Sequence, residues 1–189
     1  MSSPFCSIAF AAVLVMFAGV SPCLDAADSP RKILFLGNSI TKHGPKAEID
    51  WTGNWGMAAS GEGKDYVHLV VAALAKSSGK TPEVLVKNIA DFERAYAGYD
   101  FAAKQKEAID FKADLIILAI GENVPVLKSD AEKKDFEAAV TGLLTTLKGD
   151  RAPVFLVRSG FWANAEKDAA LRAACTTVGG AFVDIGHLG

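Results

Sequence analysis

The chain has 189 residues, 50% of them hydrophobic, which is enough for one domain with a substantial core and too few for two. The formal net charge is −2 at pH 7 and no basic cluster is visible, so composition argues against a nucleic-acid partner. A small neutral partner fits this charge better.

The first part of the chain differs in composition from the rest. An uninterrupted apolar run covers 8–20, and Ser21, Pro22 and small residues at 26 and 27 follow it. This run is shorter than the roughly 20 residues that a membrane-spanning helix needs. We therefore interpret 1–27 as a secretory signal peptide, although no Lys or Arg precedes the run, and expect no stable membrane span after its removal. The sequence predicts a secreted or periplasmic protein with one domain over 28–189.

After the leader, short apolar runs alternate with longer amphipathic ones. The apolar runs are continuous, as is typical of strands buried on both faces. They cover 32–36, 83–88, 114–120, 153–157 and 181–185, and helical patterns lie between them at about 64–78, 99–111, 129–147 and 163–178. Strands alternating with helices predict a three-layer α/β/α domain around a five-stranded parallel sheet.

Several single residues agree with these boundaries. Ser129 or Asp130 can cap the third helix, and Gly79 and Gly149 stand where helices commonly end in a left-handed residue. A long irregular stretch covers 42–63 and contains two tryptophans, Trp51 and Trp55. Connections of that length within a domain are usually functional or mobile. The two tryptophans are candidates either for stacking on a sugar or acyl group or for anchoring the loop to the core.

The first predicted strand runs directly into the turn Gly37-Asn38-Ser39-Ile40-Thr41. A serine hydroxyl then lies at the carboxyl end of a buried strand, where open α/β sheets bind their ligands. This pentapeptide resembles the nucleophile block of the SGNH (GDSL-type) hydrolases, in which the second residue is usually Asp and Asn is a common variant. The resemblance implies that Ser39 is a catalytic nucleophile. The alternative is a serine that only caps a helical turn.

Two further segments resemble the blocks that supply oxyanion donors in this family. Asn88-Ile89-Ala90 stands where the family often has Asn-x-Gly, so the resemblance gives the backbone N–H of Ala90 the role of the glycine N–H. Gly121-Glu122-Asn123-Val124 resembles Gly-x-Asn-Asp, with Val124 in place of the last Asp, and assigns the side-chain amide of Asn123 as a second donor. Each segment is alternatively an ordinary turn at a strand end.

The catalytic base is the least determined part of the predicted site. The chain has three histidines, of which His187 follows Asp184 with the Asp-x-x-His spacing of the family's base and its orienting carboxylate. Asp184 falls within the predicted fifth strand, however, and the sequence ends two residues after His187. We therefore expect a C-terminally truncated domain without its closing helix, whose true base lies beyond Gly189. The competing interpretation takes Asp184 and His187 as the working pair.

The resemblance implies a flavodoxin-like α/β/α fold and an ester hydrolase that needs no cofactor. No cluster of His, Cys or carboxylates has the spacing of a metal site, so we expect no metal. The expected substrates are small-molecule or glycan esters carrying acetyl or acyl groups, with Trp51 and Trp55 as candidate substrate contacts. A non-catalytic carbohydrate- or ligand-binding domain on the same scaffold, or an unrelated flavodoxin-like domain, are the alternatives. The sequence carries no indication of an oligomeric state.

Overall fold

Five parallel strands form one sheet at the centre of the domain. The computed structural model describes residues 29–188, so the predicted signal peptide lies outside the described residues. The strands are β1 (Lys32–Gly37), β2 (Glu83–Asn88), β3 (Leu115–Ala119), β4 (Val154–Arg158) and β5 (Ala181–Val183). They are hydrogen-bonded in the order β2-β1-β3-β4-β5, and every neighbouring pair is parallel. The predicted five-stranded parallel sheet is confirmed, and its strand order is that of flavodoxin-like folds.

Helices cover both faces of the sheet. They are α1 (Tyr66–Ser78), α2 (Ala90–Arg94), α3 (Phe101–Lys104), α4 (Lys106–Asp110), α5 (Asp130–Lys148) and α6 (Ala165–Val178), with short 3-10 helices at Ala47–Ile49 and Gly186–Leu188. Helix α1 packs against one face, which we call the α1 side, and α2 to α6 contribute buried side chains to the core on the other. The predicted three-layer arrangement is therefore confirmed.

Strand β1 shows why the strand segments appear in the sequence as continuous apolar runs. Ile33 and Phe35 point to the α1 side, whereas Leu34 and Leu36 belong to the larger core on the opposite face. All of them are completely buried. A strand that is covered on both faces needs apolar residues at every position, because successive side chains alternate between the faces.

The helix boundaries follow local capping. Ser129 caps α5 in a capping box with Glu132, and Gly79 ends α1 with a left-handed φ of 69°, as expected. The helix predicted over 99–111 is instead the two short helices α3 and α4. They are separated at Gln105, whose backbone has φ −121° and whose side chain donates to the Tyr99 hydroxyl.

The α1 side of the sheet is less covered at β4 and β5. The register aligns Val154 of β4 with Leu115 of β3, and Val183 of β5 with Arg158, so both valines face this side. They are 62% and 40% exposed. Within residues 29–188, the 3-10 helix Gly186–Leu188 is the only helical segment after β5. In the same range, no helix combines the length and the hydropathy required to cross a membrane.

Candidate active site

Ser39 lies in a tight turn at the carboxyl end of β1. The backbone N–H groups of Thr41 and Lys42 both donate to the Asn38 carbonyl, at 2.9 and 3.0 Å. Gly37 is needed before this turn, since a Cβ there would lie 1.8 Å from the Thr41 hydroxyl oxygen. Ser39 itself is partly exposed, and no hydrogen bond from residues 29–188 reaches its Oγ or its backbone N–H. Both groups are therefore available to a ligand.

Asn38, the residue before the serine, is completely buried and holds the turn to its neighbours. Its Oδ1 accepts from the backbone N–H of Ile40 at 3.0 Å, and its Nδ2 donates to the carboxylates of Glu93 and Glu122. The side chain therefore connects β1 to α2 and to the segment after β3. This arrangement gives a physical reason for an amide at this position, because a carboxylate there would face two other carboxylates.

Glu93 of α2 is the centre of the buried polar network. Its side chain is fully buried, and its Oε1 accepts from the backbone N–H groups of Gly121 at 2.7 Å and Asn123 at 3.2 Å, besides Asn38. Its Oε2 accepts from Asn123 Nδ2 at 2.9 Å. One carboxylate thus holds the turn before Ser39 and the loop after β3 in a fixed relation.

Asn123 is fixed from both ends of its amide. Arg94 donates to its Oδ1 at 3.1 Å, while Glu93 accepts from its Nδ2. The Nδ2 group has two hydrogens, so one remains for a ligand oxygen. Since β1 and β3 are neighbouring strands and Glu93 contacts the segments that follow both, the structure brings the predicted nucleophile loop and the predicted donor loop to the same edge of the sheet.

A buried ion pair supports the same loop from the other side. Glu122 accepts from Arg158 at 2.8 Å and from the backbone N–H of Phe161 at 2.7 Å, and the side chains of Glu122 and Arg158 are 6% and 10% exposed. Burial raises the pKa of Glu122, but the Arg158 charge and these hydrogen bonds outweigh it, so its pKa lies below the ordinary value. The pair joins the carboxyl ends of β3 and β4.

Ala90, the second predicted oxyanion donor, begins α2. Its backbone N–H donates to the side-chain oxygen of Asn88 at 3.0 Å, closing a turn within the predicted Asn-Ile-Ala block. The amide is therefore already engaged in the structure. Binding an oxyanion at Ala90 would need this turn to open, and the assignment of Ala90 stays a prediction.

Asp184 and His187 are not joined by a hydrogen bond. Asp184 follows β5 rather than lying within it, which corrects the predicted strand boundary. Its Oδ1 accepts from Gly186 N at 3.0 Å and from the Ser159 hydroxyl, and its Oδ2 pairs with Arg172 at 3.4 Å. His187 is exposed in the 3-10 helix Gly186–Leu188. The family's Asp-x-x-His spacing is present, but its carboxylate is bound to other groups.

A second Asp-x-x-His pair does form a contact, and sequence analysis did not single it out. Asp65 caps α1, and its Oδ1 accepts from the backbone N–H and from the Nδ1 of His68, at 2.9 and 2.8 Å. Burial raises the pKa of Asp65, but the hydrogen bonds from His68 and Gly56 lower it more, so the pKa is below its ordinary value. The bond from the Gly56 N–H to Asp65 Oδ2, at 3.3 Å, fastens the long loop to the start of α1. No hydrogen bond joins His68, His43 or His187 to Ser39 within residues 29–188.

Trp51 and Trp55 pack against each other within the loop 42–63. Their rings meet edge to face with centroids 5.4 Å apart. The indole N–H of Trp51 donates to the His43 carbonyl at 3.1 Å, and that of Trp55 to the Ala59 carbonyl at 3.4 Å. Gly53 fits between the rings, because a Cβ there would lie 2.6 Å from Trp51. These contacts fold the loop on itself, and both residues remain partly exposed.

Two residues that organise the site carried little signal in the sequence. Glu93 belongs to a five-residue helix that the sequence did not predict, and its partners lie 28 or more positions away. Arg158 could have been noticed only as a charged residue at the end of an apolar strand, which is a weak indication of a role in the site. Among residues 29–188, no group of three or more His, Cys, Asp or Glu side chains could hold a metal ion.

Comparisons with known proteins return two solved structures. One is a family two carbohydrate esterase from Cellvibrio japonicus, with 20% identity, 82% of this chain and 51% of that chain covered, and a TM-score of 0.47. The other is an acetyl xylan esterase, Est2A, from the rumen bacterium Butyrivibrio proteoclasticus, with 16% identity, 82% and 54% coverage, and a TM-score of 0.45. This chain spans about half the length of each. No family model and no curated protein sequence matches it. At this level of similarity, neither structure supports an inference about activity.

Proposed function

We propose that this protein is a secreted serine esterase of the SGNH (GDSL) type. The observation that carries the proposal is the pairing of a Ser39 whose hydroxyl and N–H have no partner in residues 29–188 with an Asn123 amide held at the neighbouring strand end by Glu93. A hydroxyl at this position and a fixed amide donor are the two parts that ester cleavage needs first. The reaction uses no cofactor.

In the proposed reaction, Ser39 Oγ attacks the carbonyl carbon of a carboxylic ester. The new C–O bond places negative charge on the carbonyl oxygen, which the Ser39 N–H and the Asn123 amide stabilise, with Ala90 as a third donor if its turn opens. The serine proton passes to an imidazole and then to the departing alcohol. Water then attacks the carbonyl carbon of the acyl-enzyme and gives a proton to the imidazole. The imidazole returns this proton to Ser39 Oγ as the carboxylic acid leaves.

Two sources for the imidazole are compatible with this reaction. One is His187, with Asp184 released from Arg172 and Ser159 to orient it. The other is a histidine that follows Gly189. The variant His187→Gln tests the first source, because it abolishes ester hydrolysis by this chain if His187 is the base and leaves any hydrolysis unchanged if it is not.

The proposed substrates are acetyl or acyl esters, including those on carbohydrates. Trp51 and Trp55 support the proposal of carbohydrate esters, since partly exposed indole rings can stack on the faces of sugar rings. Secretion rests on the apolar leader in 1–27. Sequencing the N-terminus of the exported protein tests it, and an N-terminus at Met1 would contradict it.

A non-catalytic binding domain is the second candidate. It is favoured by one observation: in residues 29–188 no histidine hydrogen-bonds Ser39, so the base of a working triad is not in place. Such a domain would use the same strand ends to hold a ligand without cleaving it.

The experiment that separates these candidates combines hydrolysis with covalent labelling. The purified protein is incubated with p-nitrophenyl acetate and, separately, with a fluorophosphonate probe. Ser39→Ala is compared with Ser77→Ala, which changes a serine near the end of α1. Hydrolysis and labelling that disappear only in Ser39→Ala support the esterase. A folded wild-type protein that neither hydrolyses nor reacts supports the binding domain, or a chain whose base follows Gly189.

A further inference from the structure

A cavity of about 320 Å³ lies beside Ile40, the residue after Ser39, on the α1 side of the sheet. Ile40 lines one part of it, and Tyr66 at the start of α1 lines another. Phe161 after β4 and Ile185 and Leu188 after β5 also line it, together with residues of the long loop and its end: Ala58, Ala59 and Lys64. The cavity is therefore built from the segments that follow β1, β4 and β5, at the edge of the sheet that carries Ser39.

The surface of this cavity is mostly apolar. Two of its three charged lining residues are paired, since Asp65 accepts from His68 and Gly56, and Arg158 is paired with Glu122 at 2.8 Å. The third, Lys64, is exposed at the surface of the protein. Tyr66 exchanges a hydrogen bond with Thr41 at 2.8 Å. Burial raises the pKa of Tyr66 to about 12, so its hydroxyl stays neutral at physiological pH. Such a lining favours an uncharged, hydrocarbon-like occupant.

One polar atom of the lining residues is unsatisfied. Arg158 is about nine-tenths buried, and its Nη2 has no hydrogen-bond partner in residues 29–188, whereas its Nη1 binds Glu122 and the Ser159 carbonyl. A buried donor without a partner is costly and is usually satisfied by water or by a ligand.

We propose that this cavity binds the acyl chain of the ester, and that it selects butanoyl and hexanoyl esters over acetyl esters. The assignment rests on the proposed attack by Ser39 and names the substrate class of that reaction. Ile40 relates the cavity to the reacting serine, because it directly follows the nucleophile in the chain and lines the cavity. Each methylene buried there raises kcat/KM roughly fourfold.

The kinetic test compares p-nitrophenyl acetate, butanoate and hexanoate. The wild-type protein is expected to show kcat/KM at least about tenfold higher for butanoate than for acetate, from the burial of two methylenes. Ala59→Phe places a ring in the cavity and removes this preference. Ala131→Phe, on the exposed surface of α5, keeps the wild-type preference. Acetate as the best substrate, or a preference that Ala59→Phe leaves unchanged, overturns the proposal.

A binding measurement distinguishes failure of the acyl-chain site from failure of the proposed esterase activity. Sodium hexanoate and sodium acetate are titrated into Ser39→Ala carrying ¹³C-labelled isoleucine and leucine methyl groups. Hexanoate, but not acetate, is expected to shift the methyl signals of Ile40, Ile185 and Leu188. These shifts without any hydrolysis by the wild-type protein retain the cavity as an acyl-binding site and reject esterase activity of this chain. Hydrolysis without chain-length preference and without these shifts retains the esterase and rejects the acyl-chain site.

Discussion

Replacing Glu93 with glutamine tests whether the buried carboxylate organises the site. In the structure its two oxygens accept four N–H groups, from Asn38, Gly121 and, twice, Asn123. Glutamine keeps one oxygen and places an NH₂ group where the second oxygen stood. If Oε1 is retained, the new NH₂ group faces the donor Nδ2 of Asn123, so that contact changes from attractive to repulsive.

The expected loss of folding stability in Glu93→Gln follows from the hydrogen bonds that change. A hydrogen bond to a charged group contributes about 1.5–3 kcal/mol, against about 1 kcal/mol for a neutral one. Losing one charged bond and weakening three others in a fully buried position gives a destabilisation of about 3 kcal/mol. For a domain of this size, that corresponds to a decrease in Tm of about 6–12 °C.

The catalytic effect is separate from the stability effect. Without the carboxylate, the Asn123 Nδ2 group loses its acceptor and the amide is held only by Arg94, and an oxyanion donor that is displaced lowers kcat by about 10²–10³-fold. We expect Glu93→Gln to lower kcat for p-nitrophenyl acetate by about 10²-fold with little change in KM, because the oxyanion forms only in the transition state.

The assays are thermal unfolding followed by circular dichroism and steady-state kinetics at a temperature where the variant is folded. Glu166→Gln is the matched control, an exposed position on α6 that should change stability by less than about 0.5 kcal/mol. A Glu93→Gln protein with the Tm and the kcat of the wild type would refute the role given to this carboxylate.

Four further changes have defined expected results. Asn123→Ala removes the amide donor and should lower kcat for p-nitrophenyl acetate by about 10²–10³-fold; a rate within about twofold of wild type would contradict its role. Arg158→Met leaves the Glu122 carboxylate buried without its cation, so urea unfolding should report a loss of about 3–5 kcal/mol, partly recovered by adding Glu122→Gln; no loss would show that the pair does not support the loop. Because the pKa of Glu122 in the folded state is below its ordinary value of 4.5, its ionisation stabilises the fold fully above that pH and progressively less as pH falls through the folded value. The stability difference between wild type and Glu122→Gln should therefore shrink in urea titrations below pH 4.5, and a pH-independent difference would contradict this. Trp51→Ala removes the ring that packs on Trp55, and limited proteolysis should then cleave within 42–63 faster than in the wild type; unchanged cleavage would show that the rings do not hold the loop.

The sheet could be predicted from the sequence because its signal is local. A strand such as 32–37 lies between two layers and must be apolar at each position, so its burial is visible as a continuous run. The caps were visible for the same reason, since Ser129 and Glu132 stand three residues apart and satisfy each other. The break at Gln105 was not visible, because its side chain is held by Tyr99 within the tertiary fold.

The site was only partly predictable, because its contacts are long-range. Ser39 and Asn123 could be proposed from strand ends, but the carboxylate between them comes from α2, a helix too short for a periodic pattern. Asp184 and His187 have the spacing of a pair, yet Arg172 and Ser159 compete for the carboxylate, and neither competitor is apparent from local sequence.

The most direct test of the central claim is a crystal structure of the protein after reaction with a fluorophosphonate. The account predicts a phosphonyl group on Ser39 Oγ, with its oxygen about 2.7–3.1 Å from both the Ser39 backbone nitrogen and Asn123 Nδ2. An unmodified Ser39, or an adduct whose oxygen points away from Asn123, would contradict it.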